Sequence, residues 1–213
     1  MTTPDHQSPA PDAAHPELSD RTYRSSAGIA GGVLLLAITG WLGIDALIIG
    51  DGRTPWVALA ALILLVPLVS AFTLRPAVFA NEDRLRVRNP FRVIVLPWAA
   101  VGSLRSGYSN EVVDTAGTKY QLWAVPVSLR ARKRAARRQS RSAAADTSGR
   151  TSAIATDPTR APADQIMDDL RELVQDRAAA PTAQGEVSVR WAYEVLAPVI
   201  AGALLLVILL AIG

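Results

Sequence analysis

Residues 84–98 read RLRVRNPFRVIVLPW. In Arg84-Leu85-Arg86-Val87-Arg88 charged and apolar residues alternate strictly, the period of a half-buried strand with Leu85 and Val87 turned inward. Asn89-Pro90 marks a turn, and Arg92 to Leu96, with Val93-Ile94-Val95 at its centre, is a β-branched run that Pro97-Trp98 ends. Further strands are expected over Val101 to Ser106 and Asn110 to Asp114. After the Asp114-Thr115-Ala116-Gly117 turn, Lys119 to Val125 supplies the return strand. The pattern predicts an antiparallel meander of about five or six strands. A small curved sheet needs a cover. Ala163 to Arg177 offers one, because Ile166, Met167, Leu170, Leu173 and Val174 fall on one helical stripe. Pro162 precedes that stripe, Asp164, Asp168 and Asp169 load its first half, and Arg171 and Arg177 come later, as a helix dipole favours.

Around this segment the chain is of a different kind. The protein has 213 residues, of which 50% are hydrophobic and 19% charged, with a mean hydropathy of +0.21. The apolar residues are bunched into three runs, 27–50, 55–74 and 191–213, each long enough to cross about 30 Å of hydrocarbon as a helix. The first run follows 26 polar residues and leads almost at once into the second, which disfavours a cleaved signal peptide. The link 51–54 is short enough to require an antiparallel helical hairpin. Arg21 and Arg24 precede the first run and Arg75, Arg84, Arg86 and Arg88 follow the second, whereas the opposite loop holds only Arg53. By the positive-inside rule the expected protein is a multi-pass protein of the cell membrane with its N-terminus and polar segment cytoplasmic.

Helix packing is expected at Gly28 and Gly32 on the first span and at Ala197 and Ala201 on the third, pairs at small-xxx-small spacing that suggest spans one and three in contact. Asp45 and Glu194 lie near opposite ends of their spans, which fits snorkelling or pairing with an arginine better than a proton relay. With no cysteine, and with His6 and His15 confined to a polar tail, no metal site, no cofactor and no catalytic residue is expected. A phosphate-binding glycine loop or nucleophile constellation is likewise missing, so the protein is expected not to be an enzyme.

Two spans leading into RPAVFANEDRLRVRNPFRVIVLPWAAVGSLRSG, followed by DTAGTKYQLWAVP, resemble the bacterial PH-like domain family of membrane proteins known as low-molecular-weight protein antigens. The points of likeness are Arg88-Asn89, Leu96-Pro97-Trp98 and Gly117, in that order after a helical hairpin. The resemblance implies a PH-like partial barrel with a capping C-terminal helix, used for binding. The long insert 130–161 and the third span depart from the pattern.

The resulting division is a disordered tail 1–26, spans 27–50 and 55–74, a PH-like β domain 75–126, a basic run and disordered linker 127–161, a capping helix 162–178, a linker 179–190 and a span 191–213. From Arg75 to Arg141 there are 14 basic and 4 acidic residues, a net +10, against −7 for the rest. Two candidate surfaces carry this charge. One is the face of Arg84, Arg86, Arg88 and, across the turn, Arg92, either a ligand for phosphates or acidic groups or a solvated face that prevents edge pairing. The other is the run Arg130, Arg132, Lys133, Arg134, Arg137, Arg138 and Arg141, which lacks the apolar residues to insert into a bilayer and acts through charge alone. The expected partners are lipids of the anionic inner leaflet, with other membrane proteins or a second copy as further candidates. No specific nucleic acid is expected, since no aromatic residue interleaves the run, and no small-molecule substrate is evident. The expected function is a lipid- or protein-binding scaffold module held at the membrane. The alternative is an accessory subunit of an envelope or transport complex, associating through its helices.

Overall fold

The computed structural model describes residues 20–127, 133, 137 and 161–212. In chain order the elements are β1 (Arg21–Tyr23), α1 (Ser26–Ile48), α2 (Thr54–Thr73), β2 (Ala77–Ala80), β3 (Arg84–Arg88), β4 (Arg92–Pro97), β5 (Val101–Ser106), β6 (Asn110–Asp114), β7 (Lys119–Gln121), α3 (Pro162–Arg177), β8 (Ser188–Trp191) and α4 (Tyr193–Ala211). Helices α1, α2 and α4, of 23, 20 and 19 residues, are each long and apolar enough to cross a membrane.

The domain consists of two antiparallel sheets. One has the order β1-β2-β3-β4-β8 and the other β5-β6-β7, and they do not close into a barrel. Alternation in β3 and β4 works as the sequence implies: Leu85 pairs with Leu96 and Val87 with Ile94, and all four are buried. They join Val78, Trp98, Val112, Leu122 and Val125 in one core, and α3 closes it with Met167 and Leu170. Burial of large side chains of this kind is worth about 1.5 to 3 kcal/mol each. The buried Trp98 indole donates to the Asn81 carbonyl at 2.9 Å, so its one polar group is satisfied. Between Val101 and Ser103 the pairing with β6 shifts, and a Cβ on Gly102 would lie 2.8 Å from the Asp114 carbonyl oxygen. Only glycine lets the strands approach so closely there.

Two expectations about the ends of the domain are corrected. The tail assigned to 1–26 contains β1, which pairs with β2 through Arg21 opposite Ala80 and Tyr23 opposite Val78. The linker assigned to 179–190 contains most of β8, which pairs with β4 through Val93 opposite Arg190. Three or four residues hold too little of a pattern to declare a strand, and both are stabilised by partners remote in sequence. The disorder expected for residues 1–19 and for the linker up to residue 160 lies outside the described residues.

Each added strand runs directly into a helix. Two residues separate β1 from α1, three separate α2 from β2, and one separates β8 from α4. Ser25 ends the first link by accepting a hydrogen bond from the Gly28 amide at 3.1 Å, an N-cap that starts α1. Because the β3–β4 hairpin contributes no helix, α2 stands between α1 and α4 and packs extensively on both.

The expected packing of spans one and three is therefore not found: α1 and α4 share no extensive contact. Gly28 and Gly32 do sit at a close helix contact, and a side chain at Gly32 would collide with Thr73, but the partner is α2. On α4 the contact is carried by Gly202, where a Cβ would lie 2.9 Å from the Ile63 carbonyl carbon, and near the domain by Val195. Ala197 and Ala201 are exposed. Ala201 precedes the contact residue by one position, a turn of about 100° around the helix.

Candidate binding surface at the strand–helix junction

Strand alternation separates the four arginines of the first candidate face. Arg84, Arg86 and Arg88 pair with Pro97, Val95 and Val93, so these residues share the outer face of the sheet. Arg92 has the parity of the buried Ile94 and Leu96 and lies on the opposite face, where its guanidinium is 5.2 Å from the Trp191 ring centre. Its assignment to the Arg84 face is corrected on this register.

The remaining three step along β3 about 7 Å at a time, each in a different environment. Arg84 is exposed. Arg86 lies 4.3 Å over the Phe79 ring and pairs with Asp20 at 3.2 Å. Both its charge and its plane are thus engaged, by contacts of modest strength at an exposed site. Arg88 is half-buried and pairs with Ala77, whose strand is joined to α2 by the three residues 74–76.

Around Arg88 the structure assembles residues that sequence reasoning used only to orient the spans. Ala77 pairs with Arg88, and one step beyond the Tyr23–Val78 pair, Arg24 falls beside Ala77 on its other side. Arg75 lies at the same junction. Its Nη2 donates to Glu194 Oε1 at 2.8 Å, which gives Glu194 the arginine partner expected for it. Burial, and then the charges of Arg75, Arg24 and Arg86, hold the Arg88 guanidinium below the usual arginine range, with Glu194 acting in the opposite direction. A basic residue within three positions of a span end was the available signal for Arg24 and Arg75.

The hairpin turn between β3 and β4 docks into the helical layer. Ala192 N–H donates to the Phe91 carbonyl at 2.9 Å, and the Asn89 side-chain amide donates to the Gln121 carbonyl at the same distance. The Phe72 ring meets Phe91 and Trp123 edge-on, with centroids 5.3 and 5.4 Å away. Aromatic and basic residues therefore gather at the end of the domain that joins the helices.

Of the second candidate surface, Lys133 and Arg137 are helical and exposed. Arg130, Arg132, Arg134, Arg138 and Arg141 lie outside the described residues. Pro126 and Ala161, close to the two ends of the undescribed stretch, both line a cavity of about 210 Å³ together with Arg24 and Ser25. The insert therefore leaves and returns at the junction end of the domain.

The acidic residue of the β6–β7 turn is committed to structure. Asp114 accepts from the Thr118 amide at 2.7 Å and from the Tyr120 hydroxyl at 3.3 Å, which stabilises a turn whose Gly117 has φ 86°. Among the described residues, no group of three or more acidic or histidine side chains is placed to hold a metal.

No curated protein and no solved structure matches the chain. Residues 75–151 match the family model of the bacterial PH domain. That range takes in β2 to β7 and stops short of α3 and β8, while β1 precedes it. The chain thus carries a bacterial PH-like domain, completed by strands that lead into its apolar helices.

Proposed function

We propose that the protein is a multi-pass membrane protein that holds its PH-like domain against the cytoplasmic leaflet as a binding module, with the basic end of the domain in contact with anionic lipid. The observation that carries this reading is the set of three strand–helix links, of two, three and one residues. Links so short fix the height of the domain above the helices. Arg24, Arg75, Arg88 and Arg190 then stand at headgroup level, and the insert carrying Lys133 and Arg137 is rooted beside them. Charges near an anionic leaflet contribute about 1 kcal/mol each and act within a Debye length of about 8 Å at physiological salt. Arg86 and Arg84 step away from that layer, which favours the junction over the strand face as the lipid contact. The arginine bias between the two ends of the helical hairpin supports the cytoplasmic side. Binding, without a catalytic step, is the role proposed.

The test uses the full chain reconstituted into phosphatidylcholine vesicles containing a fraction of labelled phosphatidylglycerol. Energy transfer from the protein's tryptophans reports enrichment of the labelled lipid. Enrichment at about 0.15 M salt that fades towards about 1 M is expected; a random lipid distribution at both would overturn the reading.

A further inference from the structure

We infer that Arg24, Arg75 and Arg88 form one discrete seat for the phosphate of an anionic lipid, at the place where the strands become helices. The inference rests on the membrane reading above and adds to it a defined site with a stoichiometry of one.

Its first support is an unpartnered donor. The Arg75 side chain is only 12% exposed, and although Nη2 is taken by Glu194, the enclosed Nε has no hydrogen-bond partner among the described residues. A buried guanidinium N–H without an acceptor is costly and uncommon, and it marks a place where an acceptor is wanted. The second support is charge. Three arginines face one carboxylate, and that carboxylate is 64% exposed, so much of its field is screened by solvent. Burial and the neighbouring arginines both act against the charge on Arg88.

Geometry gives the third support. Arg24 and Arg88 flank Ala77, and adjacent strands lie about 4.8 Å apart, so their backbones are about 10 Å apart with a methyl group between them. Ala77 is fully buried, so this row of the outer face is covered and not simply hydrated. Long side chains starting there can converge on one tetrahedral anion, and the planar guanidinium offers paired N–H groups to phosphate oxygens. Both α1 and α4 begin at this level while α2 ends there, so two N-terminal dipoles stand against one C-terminal dipole and leave a net positive contribution. Phe72, Phe91 and Trp123 at the same end suit an interfacial position. An anion that arrives at this depth is a lipid headgroup.

The full chain is purified in detergent, supplied with phosphatidylglycerol or phosphatidylcholine, and examined by native mass spectrometry. One tightly retained phosphatidylglycerol per chain is expected, with retention about tenfold weaker in Arg88→Gln and unchanged in Arg84→Gln. Arg24→Gln, which lies outside the paired strands, carries the test if Arg88→Gln fails to fold. A parallel arm adds inorganic phosphate: displacement of the lipid, or thermal stabilisation equal to that given by the lipid, would overturn the lipid assignment. Equal retention by wild type, Arg88→Gln and Arg24→Gln would overturn the site while leaving general leaflet attraction intact. No preference for the anionic lipid in any form, together with random lipid distribution in vesicles, would overturn both readings.

Discussion

Arg75 Nη2 donates to Glu194 Oε1 across 2.8 Å, and this pair fastens the end of α2 to the start of α4, 119 residues away in sequence. Among the described residues it brings a carboxylate to the cationic group of Arg24, Arg75 and Arg88. Glu194→Gln is expected to lower the thermal unfolding midpoint of the full chain in detergent at low salt, with the difference shrinking as salt rises. A midpoint unchanged at low salt would mean that the pair holds nothing together.

The helical layer makes a sharper steric prediction. Gly202→Leu forces a side chain into the α2 backbone near Ile63 and Leu64 and is expected to destabilise the protein by about 1 to 3 kcal/mol. Ala201→Leu puts the same side chain on an exposed face and is expected to be nearly neutral. Thermal unfolding of the two variants side by side checks the phase of α4.

The sheet depends on strands outside the stretch that carries its pattern. A fragment 75–178 lacks β1 and β8, leaving both neighbouring strands with open edges. It is expected to bind a hydrophobic dye and to melt without a cooperative transition, whereas the full chain melts sharply. A cooperative melt of the fragment would show that the two added strands contribute little to the fold.

Alkaline stability should report on Tyr23. Burial, and then the charge of Asp169, raise its pKa above the ordinary value of 10.0. Its phenol therefore stays protonated in the folded chain when the unfolded chain has begun to ionise. The stabilisation is complete below about pH 10 and is lost as pH rises through the raised folded value. Tyr23→Phe is expected to reduce the loss of stability above that pH, measured by chemical unfolding at a series of alkaline pH values.

Much of this was legible in residues 84–98, because Leu85 and Val87 against Ile94 and Leu96 specify a hairpin with one buried side whatever surrounds it. The capping helix was legible for the same reason, since Met167 and Leu170 sit on its apolar stripe and are fully buried. The side of Arg92 was not. Its placement depends on the register Arg88 opposite Val93, which reverses the outward parity between β3 and β4, and parity across a turn cannot be read from either strand alone. Strands β1 and β8 were hidden because their partners lie far along the chain. The junction was hidden for a related reason: Arg24, Arg75 and Arg88 belong to three separate segments, and only the antiparallel order β1-β2-β3 gathers them.

Height above the bilayer is the most direct test of the proposed placement. The chain has no cysteine, so single cysteines introduced by Arg190→Cys, Glu82→Cys and Asp51→Cys can be labelled without background. Arg190 lies beside the junction, Glu82 in the turn at the far end of β2 and β3, about 13 Å further along the strands, and Asp51 in the loop between α1 and α2. Fluorophores at the first two positions are read against quenchers attached to lipid headgroups, and the third is used to establish the side. Strong quenching at 190, weak quenching at 82, and accessibility of 51 from the opposite side of the membrane are the expected results. Equal quenching at 190 and 82, or labelling of 51 and 82 from the same side, would contradict a domain seated on the cytoplasmic leaflet by its helix-proximal arginines.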